Sequence, residues 1–260
     1  MNTYRKSQIP PHLLEFFEPA EIGLEPTPDE FVAKLVTVFR EVKRVLRDDG
    51  TLWVNMGDSY AGHHGNKNAA YDDAPSNKGG YFENQRRTTV GMGGLKAKDL
   101  IGVPWMLAFA LRADGWYLRQ EIIWHKPNPM PERVLDRPTK SHEYVFLLAK
   151  SEHYYYDSRA IAEEAGGGGT RNARTVWQIA PQPYKGAHFA TMPPALAERC
   201  IKAGSKAGDT VLDPFGGAGT TGLVAGWLGR NAILCELNPE YAALADDRIR
   251  EDALVLTGVT

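Results

Sequence analysis

Apolar side chains recur every three or four positions along the stretch TPDEFVAKLVTVFREVKRVLRDDG, at Phe31, Leu35, Val38, Val42 and Val45. This spacing places them on one face of a helix. Thr27 suits the N-cap of that helix, and Glu30 three residues later completes a capping box. We therefore predict an amphipathic helix that begins after Thr27 and ends at the DDG of residues 48–50. The apolar run TLWVNMGD that follows predicts a short buried strand.

The same alternation of helical and strand-like patterns continues to the end of the chain. The helices predicted next are VPWMLAFALRADG with Gly115 as C-cap, PPALAERCIKAGS, TTGLVAGWLGR and NPEYAALADDRIRE. The strands are WYLRQEIIWHKP, HEYVFLLAKS, TVLDPF and NAILCEL. This order predicts an α/β fold with a doubly wound, mostly parallel sheet and helices on both faces.

Three segments interrupt the periodic elements. Residues 61–98 are rich in Gly, Asn and charge, which predicts a mobile loop. The proline-rich stretch NPMPERVLDRPTKS predicts a loop between two strands, and EEAGGGGTRNAR predicts a flexible break.

The stretch DTVLDPFGGAGTTG joins a strand to a helix through a glycine-rich turn. Asp213 ends the strand, and Phe215, Gly217 and Gly219 form F-x-G-x-G. Glycines let a backbone approach a ligand closely, and exposed amides at such a turn would favour an anion. A P-loop needs a lysine after its last glycine, and Thr220 stands there instead, which argues against ATP or GTP hydrolysis. The dinucleotide pattern G-x-G-x-x-G is not matched cleanly either.

The next predicted strand ends in Glu236, 20 residues beyond Gly216. An acidic residue at this position typically accepts hydrogen bonds from ribose hydroxyls. A ligand with a ribose but little phosphate is therefore favoured, and S-adenosylmethionine is such a ligand. The alternative is a tight turn with an acidic side chain at the surface.

Composition limits the classes of protein that fit these patterns. The chain has 260 residues, is 43% hydrophobic and has a net charge of −2, with no apolar run long enough to span a membrane and no signal-peptide pattern at its start. Its two cysteines fit a reducing cytoplasm. Charge is unevenly distributed along the chain. Residues 1–77 carry 8 basic and 12 acidic side chains, residues 78–185 carry 16 basic and 11 acidic ones, and residues 186–260 carry 6 basic and 9 acidic ones. The net-positive middle is a weak indication of a polyanionic partner.

DPFGGAGTT, preceded by HFATMPPALAERCI, resembles the permuted class of DNA amino-methyltransferases, which modify adenine N6 or cytosine N4. The segments GLEPTPDEFVAKLVTVFREVKRVLRDDGTLWVNMGDSY and IIWHKPNPMPERVLDRPTKSHEYVFLLAKS are similar to further parts of that family. The resemblance implies a Rossmann-like fold of the methyltransferase type, with a catalytic half at 1–151, a short target-recognition insertion at 152–186 and a cofactor half at 187–252. For S-adenosylmethionine it implies these residues: Asn55, Asp58, His188, Phe189, Asp213, Pro214, Phe215, Gly217, Gly219, Thr220, Thr221 and Glu236.

The family holds the target amine with a loop of sequence [DNS]-P-P-[YFW]. In this chain the corresponding segment is Ile9–His12, so the resemblance assigns the catalytic positions to Pro10, Pro11 and His12. Ile9 has no side-chain acceptor, and His12 replaces the usual aromatic ring. Two interpretations are open: the chain begins too late to include the loop, or this segment is a degenerate form of it.

The resemblance also implies double-stranded DNA as the partner, from which the target base is flipped out. Candidate DNA contacts are Arg86, Arg87, Lys126, Arg137, Arg171 and Arg174. The alternative for these side chains is an ordinary basic surface, and Trp177 is predicted to lie in the core. A homodimer is left open.

A site-specific DNA methyltransferase of the cytoplasm, from a restriction–modification or phage system, is the function that this evidence favours. The rivals are a methyltransferase of the same fold that acts on RNA, and a non-catalytic remnant that binds cofactor or DNA.

A carbon-5 cytosine methyltransferase would need a nucleophilic cysteine, and Cys200 and Cys235 both look like small buried residues. The GHHG of residues 62–65 lacks further ligands, so no metal site is expected.

Overall fold

The computed structural model describes residues 22–61, 94–182 and 192–257, with side chains up to residue 252. Its helices are α1 (Pro28–Val45), α2 (Val103–Ala113), α3 (Pro194–Gly204), α4 (Thr220–Trp227) and α5 (Pro239–Thr257). Its strands are β1 (Thr51–Met56), β2 (Tyr117–His125), β3 (His142–Ala149), β4 (Glu163–Glu164), β5 (Thr170–Arg171), β6 (Val176–Gln178), β7 (Thr210–Asp213) and β8 (Asn231–Leu234).

Helix α1 begins after Thr27, as its sequence pattern predicts, but ends at Val45, before the predicted stop at residues 48–50. Val45, predicted to lie on the apolar face, is 56% exposed. The Thr27 hydroxyl accepts a hydrogen bond from the Glu30 amide at 3.2 Å, which satisfies one free amide of the first turn. Acidic residues lie in the first turn and basic residues in the last, in the sense that the helix dipole favours. The apolar face is buried at Phe31, Leu35, Phe39 and Val42. The predicted amphipathic helix is confirmed.

The main sheet has the strand order β1-β3-β2-β6. Strand β3 is antiparallel to both β1 and β2, whereas β6 is parallel to β2. The α/β class is confirmed, but the sheet is mixed rather than mostly parallel. The cause is the segment 126–141, whose four prolines accompany an irregular loop instead of a crossover helix. Strands joined without a crossover pair antiparallel.

Strand β3 lies in the middle of this sheet and contributes to the core on both faces. Phe146 and Leu148 pack with α1 and α2, while Val145 packs on the other face with Trp177 and residues of α3. All three β3 side chains are at most 1% exposed. Helices thus cover both faces of the sheet, and the predicted core position of Trp177 is confirmed.

Strands β7 and β8 pair in parallel, with α4 as the crossover between them. The start of β7 lies beside the start of β1: the Lys206 ammonium is 4.8 Å from the ring of Tyr155, whose amide bonds to the Asp49 carbonyl. Leu212 of β7 packs on the same core cluster as β1. Both strands therefore end towards one edge of the molecule, which we call the strand-end edge. By the sheet register, β2 ends and β3 begins at this edge too.

The segment predicted as a flexible break is a small hairpin instead. Glu163 pairs with Arg171 and Glu164 with Thr170. Gly167, Gly168 and Gly169 have φ values of 98°, 90° and 110°, a region that L side chains rarely adopt. The glycines let the chain reverse between two short strands.

None of the helices among the described residues is long and apolar enough to cross a membrane.

We predict that Thr27→Ala lowers the free energy of unfolding by about 1 kcal/mol, because the first turn of α1 loses its side-chain cap. Urea denaturation measures this change. Thr37→Ala is the matched control, because Thr37 lies at an exposed position inside the same helix, where its hydroxyl bonds only the Ala33 carbonyl. That variant should be neutral or slightly stabilising. Equal losses in both variants would contradict the capping role.

Candidate cofactor and DNA site

The glycine turn begins at Asp213, the last residue of β7. One oxygen of its carboxylate accepts from the Phe215 amide at 2.9 Å, and the other accepts from the Thr221 hydroxyl at 2.6 Å. The side chain therefore joins the two ends of the turn. Asp213 fixes how the backbone leaves the sheet and how α4 begins.

Glu236 holds the turn from the neighbouring strand. Its Oε2 accepts from the Gly217 amide at 2.8 Å, and its Oε1 accepts from the Asn238 amide at 2.9 Å. No ion pair joins Asp213 or Glu236 to a described lysine or arginine. Each carboxylate oxygen has a second lone pair, so Glu236 can still accept hydrogen bonds from a ligand.

Gly217 and Gly219 have φ values of 49° and 77°. A Cβ on Gly219 would also lie 2.8 Å from the Cβ of Ala245 on α5, closer than real contacts allow. Glycine is thus required at 219 by its conformation and by close packing. The turn is held tightly between α4 and α5.

Arg248, which sequence reasoning missed, adds to this contact. Its guanidinium donates to the Ala218 carbonyl at 2.9 Å and to the Thr220 hydroxyl at 3.0 Å. Ala245 and Arg248 are three residues apart on α5 and so share one face. A three-residue spacing of alanine and arginine is common on helices, so the sequence carries no signal that would have indicated either contact.

The turn is not built for a phosphate, contrary to the expectation of exposed amides. Four of its amides already donate to protein oxygens at 2.7–2.9 Å, those of Phe215, Gly216, Gly217 and Gly219. Two carboxylates flank it and would repel an anion. Ribose hydroxyls and a cationic group suit this site, and both occur in S-adenosylmethionine. The residues present therefore fit that cofactor.

The other predicted residues of the turn differ in accessibility. Pro214 is half-buried and Thr220 and Thr221 are buried, so the threonines start α4 and their hydroxyls bond within the protein. Phe215 is 46% exposed and lies edge-on to Phe39 of α1, with ring centroids 6.2 Å apart. Of these side chains, Phe215 has the most surface available to a ligand.

Asn55 and Asp58 are at the strand-end edge but have protein partners. The Asn55 amide donates to Glu143 Oε2 and to the Tyr144 carbonyl, both at 3.1 Å. Asp58 Oδ1 accepts from the amides of Ser59, Gly102 and Val103, and so caps α2 from outside. These contacts assign both residues a structural role, and their predicted contact with the cofactor stays a prediction.

Lys126 and Arg137 lie in and beside the loop between β2 and β3. Lys126 forms an ion pair with Glu143 and lies over the Trp124 ring. Arg137 pairs with Glu132 at 2.6 Å, and its guanidinium lies 3.9 Å from the centroid of the Tyr60 ring. Both cations thus order the strand-end edge.

Nearby, Lys140 is half-buried, and this burial lowers its pKa while the charges of Asp58 and Glu143 act in the opposite sense. Burial likewise lowers the pKa of His142, and the neighbouring charges of Lys140 and His125 lower it further.

Arg171 and Arg174 meet at a glutamate that the sequence did not single out. Their Nε atoms lie 3.8 Å and 3.1 Å from Glu163 Oε2, and Arg199 of α3 approaches the other oxygen at 3.6 Å. These residues lie beside an open cavity of about 1290 Å³ between the hairpin and α3, whose lining has four basic and three acidic side chains and therefore a small excess of positive charge. The structure therefore brings Arg171 and Arg174 together at Glu163, whereas Lys126 and Arg137 pair with other carboxylates.

The remaining predicted residues lie outside the described part of the chain. They are Pro10, Pro11, His12, Arg86, Arg87, His188 and Phe189, and most of the predicted loop 61–98 lies outside it as well.

The two thiols are poor nucleophiles. Although Cys200 as a whole is half-buried, burial of its thiol raises the pKa to about 12. Cys235, predicted to be buried, is exposed as a residue, but partial burial of its thiol and then the charge of Asp213 raise its pKa. A thiol that stays protonated argues against carbon-5 cytosine chemistry. No group of three metal-ligating side chains occurs among the described residues.

A parallel β-α-β unit with a glycine turn and an acidic residue after the second strand defines a nucleoside-binding α/β fold. With its amides satisfied and its carboxylates free of ion pairs to the described lysines and arginines, the turn fits an S-adenosylmethionine-dependent methyltransferase.

A family model described as DNA methylase, for N6 and N4 methyltransferases, matches residues 9–247. The chain belongs to this family and is a site-specific DNA methyltransferase.

The chain is 52% identical over 238 residues to the Type II methyltransferase M.Cfr9I of Citrobacter freundii, covering 91% of this chain and 77% of that protein. It is 51% identical over 244 residues to the Type II methyltransferase M.SmaI of Serratia marcescens, covering 92% and 82%.

Among solved structures, TTHA0409 of Thermus thermophilus, described as a DNA modification methylase complexed with S-adenosyl-L-methionine, matches with a TM-score of 0.59 and 25% identity. That match covers 86% of this chain and 78% of the neighbour. The cytosine-N4-specific PvuII DNA methyltransferase matches in fold, with a TM-score of 0.63, 20% identity, and coverage of 89% and 78%.

We predict that Gly219→Ala lowers the free energy of unfolding by about 1–3 kcal/mol, because the new methyl group meets Ala245 and the backbone φ is unfavourable. It should also weaken cofactor binding in calorimetry. Gly226→Ala is the control, because Gly226 lies inside α4 with nothing within 4 Å of its Cβ position. That change should stabilise by up to about 1 kcal/mol. If Gly226→Ala lowered the free energy of unfolding as much as Gly219→Ala does, the close-packing explanation would be contradicted.

Proposed function

We propose that this methyltransferase transfers a methyl group to an exocyclic amino group, adenine N6 or cytosine N4, of a base flipped out of double-stranded DNA. The observation that carries the proposal is the glycine turn, with two carboxylates and satisfied amides, in a chain of the N6/N4 family. The Type II names of its relatives support a restriction–modification setting. A phage origin, a cytoplasmic location and a homodimer stay predictions.

The cofactor would lie against the turn between β7 and α4. When bound, S-adenosylmethionine supplies a methyl group on a positively charged sulfonium. Glu236 would accept hydrogen bonds from the ribose, since its carboxylate already faces the turn at Gly217. Asp213 would keep the turn in shape and add negative charge beside a cationic ligand. The exposed ring face of Phe215 would contact the ligand.

The target amine is a weak nucleophile because its lone pair is delocalised into the base. Catalysis therefore depends on positioning the nitrogen and on accepting its hydrogen bonds. We assign this task to the segment Ile9–His12, which lies within the family match from residue 9. Backbone carbonyls of the Pro10–Pro11 pair would accept from the amine, and the His12 ring would stack on the base.

We further propose that the positive side chains contact DNA phosphates. Arg171 and Arg174 lie beside an open cavity, while Lys126 and Arg137 lie at the strand-end edge. Contacts to phosphate position a protein on DNA without reading its sequence. The segment 152–186 is the proposed target-recognition region, and its strand β6 attaches this region to the main sheet.

We predict that Glu236→Gln weakens binding of S-adenosylmethionine about tenfold or more, because a charge-assisted hydrogen bond to the ribose is lost. Calorimetric titration measures the affinity. Glu240→Gln is the matched control, since Glu240 is an exposed glutamate four residues later. The affinity of that variant for S-adenosylmethionine should equal that of wild type. Equal affinity of wild type and Glu236→Gln would place the cofactor elsewhere.

We predict that incubation of the wild-type chain with unmethylated plasmid DNA and labelled S-adenosylmethionine yields N6-methyladenine or N4-methylcytosine. Nucleosides are separated by chromatography before mass analysis, because N4- and C5-methylcytosine have the same mass. C5-methylcytosine would contradict the proposed chemistry. Cofactor binding without any transfer to DNA or RNA would favour the non-catalytic alternative, which the absence of a side-chain acceptor at Ile9 supports. Transfer to RNA alone would favour the RNA methyltransferase.

A further inference from the structure

The loop between β2 and β3, residues 126–141, exposes two large apolar side chains. Met130 is 85% exposed and Leu135 is 104% exposed, the two highest values among the exposed large hydrophobic side chains of the described residues. Single exposed apolar residues are common on protein surfaces. Two such residues on one short loop suggest a surface that becomes covered when a partner binds.

This exposure does not come from a loose loop. At its base, the Lys126 amide donates to the Ser141 carbonyl at 2.7 Å. Arg137 joins Glu132 at 2.6 Å and lies over the Tyr60 ring. The four prolines at 127, 129, 131 and 138 restrict the backbone further.

An ion pair also ties this loop to a second segment, because Asp136 pairs with Lys98 at 2.6 Å. The loop is therefore held to neighbouring segments directly after Leu135, through Asp136 and Arg137, while Glu132 before it pairs with Arg137 of the same loop.

The charge around the loop suits a polyanion. The three acidic side chains of residues 126–143 each pair with a cation: Glu132 with Arg137, Asp136 with Lys98, and Glu143 with Lys126. Arg133 is exposed and Lys140 is half-buried, and neither forms an ion pair with a described carboxylate. The loop that carries Met130 and Leu135 therefore has excess positive charge.

The loop lies where a substrate must approach. It joins the end of β2 to the start of β3 at the strand-end edge, towards which β1 and β7 also end. The glycine turn follows β7 directly. A duplex whose target base reaches the cofactor would therefore pass close to this loop.

We propose that Met130 and Leu135 form an apolar wedge that enters the DNA duplex and fills the space left when the target base is flipped out. The inference rests on the proposed function and adds a further specific contact to it. Proteins that unstack DNA commonly insert Met, Leu or Pro side chains between bases. Arg133 contacts a phosphate beside the wedge. Stacking of the wedge offsets part of the cost of flipping the base.

The test compares wild type with the double variant Met130→Ser/Leu135→Ser on two short DNAs that contain a site mapped with the wild-type enzyme. In one DNA the target base is paired normally, and in the other it faces an abasic position, so that little pairing is left to break. The variant should lose about tenfold or more in kcat/KM on the paired DNA, and should come within about threefold of wild type on the abasic DNA. Leu24→Ser, which changes a side chain that is 58% exposed before α1, is the control and should behave as wild type on both.

Titration with S-adenosylmethionine accompanies these assays and should give the same affinity for all three proteins. Equal losses on the paired and the abasic DNA, or no loss on either, would overturn the wedge while the methyltransferase assignment stands. A wild-type chain that methylates no site in plasmid DNA, so that no target can be mapped, would overturn the proposed function and the wedge with it.

Discussion

The site depends on two carboxylates that hold one glycine turn. Asp213 at the end of β7 and Glu236 after β8 accept hydrogen bonds from the turn's amides, at 2.9 Å and 2.8 Å. In a phosphate-binding turn, those amides would instead donate to the ligand. Because these amides donate to carboxylates of the protein instead, the turn presents a fixed, acidic surface to a ligand. Such a surface selects a nucleoside with little negative charge and is consistent with a sulfonium cofactor.

The mixed sheet places this turn at the same edge as the loop that we propose contacts DNA. Because β3 is antiparallel to β1 and β2, the loop 126–141 emerges at the edge towards which β7 ends. Ion pairs and the Arg137–Tyr60 contact then hold that loop in place. Strand order, the glycine turn and the proposed wedge would then form one arrangement, in which a base leaving the duplex meets the cofactor.

Features with a local cause could be predicted from the sequence. The capping of α1 by Thr27 follows from residues three apart, and the strand–turn–helix at Asp213 follows from a continuous motif. The pairing of β2 with β3 could not be predicted from a strand–helix pattern, because it depends on contacts made across a 16-residue loop. Asp58 shows the same limit: its partners Gly102 and Val103 lie 44 and 45 residues later, so its role in capping α2 is visible only in three dimensions. Arg248 and Glu163 were missed because single charged residues on a surface carry no distinctive spacing.

The most direct test of this account is a calorimetric titration of the wild-type chain with S-adenosylmethionine and, separately, with ATP. Both ligands contain adenosine, but only ATP has a triphosphate. We expect binding of S-adenosylmethionine and an affinity for ATP weaker by about a hundredfold or more, since the turn offers carboxylates where a phosphate needs donors. ATP binding equal to or tighter than that of S-adenosylmethionine would contradict it.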